Sequence, residues 1–302
     1  MENIWQQLSK EISEKVATAG ESIVAVDGRS GHTSSGIIWR ADYVFTASHT
    51  IRGEGGIEVL PASGKSVGAR LVGRAHASDI AVLKIEVPLQ NKPADLGDPS
   101  SLAVGALVAA IGRTRRGNIV ASSGILSGLM GEWRSGRARI DQFIRPDITL
   151  YPGFSGGALI DGSGKILGMT TSGLLQRRPL AIPASTLRRV GEELITKGHS
   201  ASPYVGLVMQ PVSIPEKVQK TSGAAAATGL LILHVEASSP ADAAGVLLGD
   251  ILVSLDGQSF EAVEDLHDVL LRRGINQKVP AVLIRGGQKV ELALTIGERP
   301  LR

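Results

Sequence analysis

The sequence predicts a mainly β protein of two or three compact units, and three observations carry that prediction. Between residues 22 and 180, short β-rich runs alternate with turn signals at the even spacing of an all-β barrel or sandwich. The chain holds 37 glycines in 302 residues, which suits many tight turns, and that length exceeds one small core. A polar stretch, Gly198-His199-Ser200-Ala201-Ser202-Pro203, then separates off a second run of strand and helix patterns.

The elements follow in order. Ile4, Leu8, Ile12 and Val16 recur every four residues with Trp5 beside them, and Gly20 follows at a C-cap position. This predicts an amphipathic N-terminal helix over 1–20. Strand-like runs follow, among them 22–26, 36–47, 57–60, 80–85, 107–111, 124–129, 158–160 and 166–171. Residues 184–197 read as a closing helix, so the first domain spans 21–197 and the linker 198–203. In the second unit Tyr204-Val205-Gly206-Leu207-Val208-Met209 is strand-like, and 221–229 is a low-complexity stretch expected to be a flexible loop. Val263, Leu266, Val269 and Leu270 form a helical stripe, and runs at 281–284 and 290–296 make a hairpin around Gly286-Gly287.

Composition narrows the function classes. Apolar residues make 43% and charged residues 20% of the chain, a globular balance. A net charge of only +3 gives little reason to invoke nucleic acid. The basic clusters at Arg113-Thr114-Arg115-Arg116 and from Arg134 to Arg139 read as solvated loops. Cysteine is absent, so disulfides are excluded, and no His, Asp and Glu cluster has metal-ligand spacing. No run approaches the roughly 20 apolar residues of a transmembrane segment. Met1-Glu2-Asn3-Ile4-Trp5-Gln6-Gln7 lacks a secretory signal's basic start and apolar core. The expectation is a cytoplasmic protein if Met1 is the natural start, and a periplasmic one if a leader was removed.

Chemistry concentrates in three places. Tyr151-Pro152-Gly153-Phe154-Ser155-Gly156-Gly157-Ala158-Leu159 sets a serine between glycines. Such a turn exposes a hydroxyl and aims backbone N–H groups at one point, as an oxyanion hole requires. Gly-x-Ser-x-Gly also fits the nucleophile turn of α/β-hydrolases, where the acid and then the histidine follow the serine. Here Tyr43-Val44-Phe45-Thr46-Ala47-Ser48-His49 ends an apolar run on a histidine, and Ala77-Ser78-Asp79 immediately precedes Ile80-Ala81-Val82-Leu83. The order His49, Asp79, Ser155 is that of chymotrypsin-type proteases. His32, His76 and His199 read as ordinary loop histidines.

These segments resemble the HtrA/Deg family of trypsin-like serine proteases. Thr46-Ala47-Ser48-His49 is similar to the family's histidine box, Ser78-Asp79-Ile80-Ala81-Val82-Leu83 to its Asp-Ile-Ala box, and Pro152-Gly153-Phe154-Ser155-Gly156-Gly157 to its serine box. Separations of 30 and 76 residues are close to the family pattern. Ser238-Ser239-Pro240-Ala241-Asp242-Ala243-Ala244-Gly245-Val246 and Leu248-Gly249-Asp250-Ile251-Leu252 resemble the PDZ signature of these proteases, over 204–298.

The resemblance implies a chymotrypsin-like double six-stranded β-barrel followed by an α+β PDZ domain. It implies His49, Asp79 and Ser155 as the triad, with Gly153 and Ser155 N–H as the oxyanion hole. Leu150, Ser172 and Gly173 match family positions lining the first specificity pocket. Tyr204, Val205, Gly206, Leu207 and Leu266 match the peptide-binding groove of the PDZ domain. The implied activity is ATP-independent endoproteolysis of unfolded or damaged proteins in quality control, without cofactor or metal. The implied partners are free peptide C-termini and two further copies of the chain in a homotrimer. One residue departs: Phe154 stands where the family usually has Asn. Either backbone contacts hold the turn, or a ligand orders it, and a catalytically silent PDZ adaptor or holdase is the alternative reading.

Overall fold

The computed structural model describes residues 3–28, 33–52, 56–99, 102–135, 138–175, 178–199, 203–223 and 226–300. The chain forms two compact units, residues 1–200 and 201–302.

The first unit opens with helix α1 (Ile4–Gly20), capped by Asn3, whose side chain accepts from Gln6 N–H at 2.9 Å while Gln6 returns a bond to Asn3 N–H. The helix runs through Gly20, and the cap is Glu21. Gly20 serves packing instead of capping, since a β-carbon there would lie 2.2 Å from Ile119 Cδ1. Six strands then close a barrel: β1 (Ile23–Asp27), β2 (Thr33–Arg40), β3 (Tyr43–Ala47), β4 (Ile57–Leu60), β5 (Val67–Ala75) and β6 (Ile80–Ile85), in the order β1-β2-β3-β6-β5-β4. The run at 36–47 is two strands, because Ala41-Asp42 turns the chain and pairs Arg40 with Tyr43.

A second six-stranded barrel uses β7 (Leu107–Arg113), β8 (Ile119–Met130), β11 (Phe143–Asp147), β12 (Ala158–Asp161), β13 (Ile166–Leu175) and β14 (Arg178–Pro183), ordered β11-β14-β13-β12-β7-β8. A side hairpin, β9 (Trp133–Ser135) with β10 (Ala138–Ile140), precedes β11. Helix α2 (Ala184–Lys197) closes the unit, with Gly198 left-handed at its C-cap.

The period-two geometry of strands explains the continuous apolar runs. In β6, Ile80 and Val82 face a cluster shared by the two barrels, while Ala81, Leu83 and Ile85 fill the first barrel. In β12, Ala158 and Ile160 face the shared cluster and Leu159 fills the second barrel. Both faces of these strands are buried, so neither alternates with polar residues. The seam where the barrels meet, reinforced by Leu187, Val190 and Leu194 of α2, is the frame on which the site stands.

The second unit holds β15 (Pro203–Tyr204), β16 (Leu207–Ser213), α3 (Glu216–Ser222), β17 (Thr228–Val235), α4 (Pro240–Ala243), β18 (Ile251–Leu255), β19 (Gln258–Ser259), α5 (Val263–Arg273), β20 (Lys278–Arg285), β21 (Gln288–Thr295) and β22 (Gly297–Glu298). Its main sheet is ordered β16-β17-β18-β20-β21, so β16 is an edge strand. Pro203 belongs to β15 instead of the linker, and His199 bridges to Arg74 in the first unit. The expected loop at 221–229 is shorter than its composition suggests: Thr221 and Ser222 end α3, and β17 begins at Thr228. Residues 224 and 225 of that stretch, like His32, lie outside the described residues.

Candidate active site and peptide site

Strand β3 ends at Ala47 and one 3-10 turn, Ser48–Thr50, carries His49. A second such turn, His76–Ser78, ends at Asp79 in the left-handed region, φ 56°, a conformation that Asp tolerates better than most side chains. Ser48 N–H donates to Asp79 O at 3.1 Å and Asp79 N–H to His76 O at 3.1 Å, so the two turns fix each other. His76 Nδ1 lies 3.1 Å from Ser48 Oγ.

The result is a close His–Asp pair. His49 Nδ1 lies 2.8 Å from Asp79 Oδ2 and 3.0 Å from Oδ1, and His49 N–H donates to Oδ1 at 2.9 Å. Thr171 Oγ1 donates to Asp79 Oδ2 from β13 and accepts from Gly173 N–H at 2.9 Å. Asp79 is buried and His49 half-exposed, as a buried orienting acid and an accessible base would be. The Asp79 hydrogen bond raises the His49 pKa; burial opposes this and the Asp79 charge adds to it.

Ser155 sits on a turn whose geometry requires glycine. Gly153 and Gly156 have φ of 100° and 88°, and a β-carbon on Gly156 would lie 2.0 Å from Ser35 O. Phe154 places its ring in the core, while its backbone is held: N–H donates to Tyr151 O at 3.1 Å, and O accepts from Gly157 N–H at 2.9 Å and Thr170 Oγ1 at 2.8 Å. Gly156 N–H and Thr170 N–H lace the turn to β13 through Thr170 O and Gly157 O. Among the described residues, Gly153 N–H and Ser155 N–H donate no hydrogen bond. Two unpaired N–H donors flanking Phe154 are what an oxyanion hole needs.

Ser155 Oγ lies 3.3 Å from Ser172 Oγ, and among the described residues no hydrogen bond joins it to His49. Catalytic hydrogen bonds often tighten only when substrate is bound. The segment Thr171-Ser172-Gly173 therefore touches every member of the constellation. A β-carbon on Gly173 would lie 2.7 Å from His49 Nδ1 and 2.8 Å from Asp79 Oδ2, so this position adjoins the His–Asp pair as well as any pocket. Leu150 is half-buried on the segment after β11.

Sequence reasoning missed Ser35, Thr170 and Thr171. Their signal was weak but present: each is a fully buried hydroxyl residue inside an apolar strand, which needs a partner. It also placed Arg113 in a solvated loop. Arg113 is buried, its guanidinium donating to the carbonyls of Ile23, Gly117 and Gly20 at 2.5, 2.5 and 2.6 Å.

In the second unit, β15 and β16 are separated by Val205-Gly206, with Gly206 at φ 81°. A β-carbon on Gly206 would lie 2.2 Å from Ser239 Cβ. Glu236 N–H donates to Gly206 O and Ala241 N–H to Val205 O, each at 2.9 Å, while Tyr204 OH donates to Glu236. Leu266 is buried in the core of this unit, and the half-buried Leu207 packs against the same cluster. The turn, the edge strand β16 and helix α5 thus come together.

Residues 34–169 match the family described as trypsin-like peptidase domain, and residues 203–296 match PDZ domain. The chain is 29% identical over 293 residues to the serine protease Do-like HtrA of Bacillus subtilis, covering 90% of this chain and 65% of that protein. It is 30% identical to a probable periplasmic serine endoprotease DegP-like of Halomonas elongata, covering 93% of this chain and 61% of that one. The chain thus spans somewhat less than two thirds of the length of these curated relatives. Among solved structures, the HtrA-type protease AlgW with decapeptide is similar at TM-score 0.73 and 25% identity, covering 96% of this chain and 99% of that one.

Proposed function

Since the chain belongs to the HtrA/Deg family of trypsin-like serine proteases with a C-terminal PDZ domain, we propose that it is an ATP-independent endopeptidase of unfolded or damaged proteins. The observation that carries this reading is the hydrogen-bonded His49–Asp79 pair beside a hydrogen-bonded serine turn with two unpaired N–H groups.

In the proposed mechanism Ser155 Oγ leaves Ser172 and attacks the scissile carbonyl, passing its proton to His49 Nε2. Asp79 accepts from Nδ1–H, holding the tautomer and stabilising the imidazolium. The N–H groups of Gly153 and Ser155 receive the oxyanion. His49 then protonates the leaving amine, and water repeats the sequence on the acyl-enzyme. Leu150, Ser172 and Gly173 carry no charge, so the first pocket takes small or medium aliphatic side chains; a library profile dominated by Lys or Arg contradicts this. A fluorophosphonate probe should label Ser155, and casein turnover should vanish in Ser155→Ala. Silence in both assays with intact peptide binding is the outcome of the adaptor reading.

In the second unit, an extended peptide adds as a strand beside β16, its terminal carboxylate against the Tyr204-Val205-Gly206-Leu207 turn and its last side chain near Leu207 and Leu266. Stimulation of cleavage by such a peptide requires tighter binding to the active state than to the resting one. We further propose a homotrimer. The Halomonas relative's name places that protein in the periplasm, and fractionation of the source cells decides between periplasm and cytoplasm for this chain.

A further inference from the structure

Resting on the endopeptidase reading, we propose that Ser35 is a positioning residue for the oxyanion turn, its buried hydroxyl fixing the Gly153–Phe154 peptide from the neighbouring barrel. Ser35 lies on β2 of the first barrel and is fully buried. Its Oγ accepts from Arg113 N–H at 2.9 Å and donates to Gly153 O at 2.7 Å. The direction is set by chemistry: Arg113 N–H can only donate and Gly153 O can only accept, so the single hydroxyl proton points at the turn. Gly112 leaves the room for this, since a β-carbon there would lie 3.0 Å from Ser35 Oγ and 3.5 Å from Gly153 O.

The backbone of the same residue holds the other side of the turn. Ser35 N–H donates to Ser155 O at 2.9 Å, and Ser35 O accepts from Thr46 Oγ1 at 2.7 Å. One residue therefore grips the carbonyls on both flanks of Phe154. Glycine rotates freely at φ and ψ, so Gly153 stays at φ 100° only if its peptides are held. The side chain of Phe154 is apolar and gives no such hold, and the Ser35 hydroxyl supplies it from outside the turn. The anchor is itself rigid, because Arg113 is tied to three carbonyls.

The test compares wild type, Ser35→Ala and Ser35→Cys as full chains, with circular dichroism confirming the fold. Three readouts are used: kinetics on a peptide substrate, affinity for a peptide aldehyde, and affinity for the matching peptide alcohol. The aldehyde forms a tetrahedral adduct whose oxygen meets Gly153 and Ser155 N–H; the alcohol cannot. Ser35→Ala should lower kcat by about 10- to 100-fold while KM stays within about threefold. Aldehyde affinity should fall by a similar factor with alcohol affinity unchanged. Ser35→Cys, a weaker donor, should fall between, and it alone is read if Ser35→Ala does not fold. Unchanged kcat, or equal losses for aldehyde and alcohol, overturns the inference. A wild type that neither cleaves peptide nor labels with fluorophosphonate overturns the endopeptidase reading instead.

Discussion

The Asp79 carboxylate that accepts from His49 Nδ1–H at 2.8 Å makes the protonated imidazole easier to form and harder to discharge. Two pH dependences of opposite sign follow. A general base must be neutral, so activity should fall on the acid side of a midpoint above the ordinary histidine value of about 6.5. The folded pKa is the raised one, so the pair's contribution to stability is complete below about pH 6.5 and is lost as pH rises through the raised value. Asp79→Asn should move the acid limb of any residual activity to lower pH and cut kcat by roughly 10⁴-fold, as in other triads; a pH–rate profile with an unmoved limb argues against the pairing. Gly173→Ala should also abolish the proposed peptide cleavage, because its new β-carbon falls at 2.7 Å from His49 Nδ1. Peptide cleavage near the wild-type rate in that variant contradicts this geometry. His49, Asp79 and Ser155 stand out in the sequence because each breaks an apolar or glycine-rich run, in the order His, Asp, Ser. Thr171 was not, because its partner Asp79 lies 92 positions away, and only the closed barrels bring them together.

Elements carry the next set of consequences. The closing helix was legible to the residue at 184–197, and so were β4 and β6, because apolar periodicity and flanking breakers agree there. Strand β5 was missed, since Val67–Ala75 interleaves glycine and arginine with its apolar residues. Helix α3 was hidden by the alanine-rich stretch that follows it. In the second unit β16 is an edge strand with Val208 exposed, the form a strand-adding peptide needs. A Val-terminated peptide should bind more tightly than its C-terminal amide, and Gly206→Val should abolish binding through collision with Ser239. Equal affinity of acid and amide in a titration rejects the turn as a carboxylate site. Stability of this unit leans on Asp250, which accepts from Leu247 N–H at 2.8 Å and from Arg285 Nε and Nη2 at 2.9 and 2.8 Å. Burial pushes its carboxyl up, but the Arg285 and Leu247 hydrogen bonds outweigh burial and leave it below the usual range. That stabilisation is present above about pH 4 and lost as pH falls through the depressed value. Asp250→Ala leaves Leu247 N–H without its acceptor while Arg285, partly solvated, turns to water, and should cost about 1–3 kcal/mol, read as a lowered denaturant midpoint of the second unit. A midpoint unchanged in that variant would show the pair to be dispensable.

At the scale of the whole molecule the question is what the N-terminal helix is for, because its two halves differ. Val16 packs against the seam between the barrels, and Ile12 and Lys15 lie over Leu107, Val108, Ala109 and Ile160 of the second barrel. Ile4 and Trp5, by contrast, are 76% and 75% exposed. The sequence showed one continuous stripe and gave no sign of this division, since periodicity reports an apolar face and not its partner. Two large apolar side chains at a helix tip contribute little to the fold of their own unit, and we propose that they contact another copy of the chain. On that proposal, the proposed homotrimer should depend on them. Ile4→Asp with Trp5→Asp should leave thermal unfolding of the protease unit within about 0.5 kcal/mol of wild type, as exposed positions do. The same pair should shift light scattering at micromolar concentration from trimer toward monomer. Val16→Asp is the contrasting control, because it buries a charge against the seam and should lower stability whatever the oligomeric state. A monomeric wild type rejects the trimer itself. A wild-type trimer that survives the double substitution keeps the assembly and moves its interface off the helix tip.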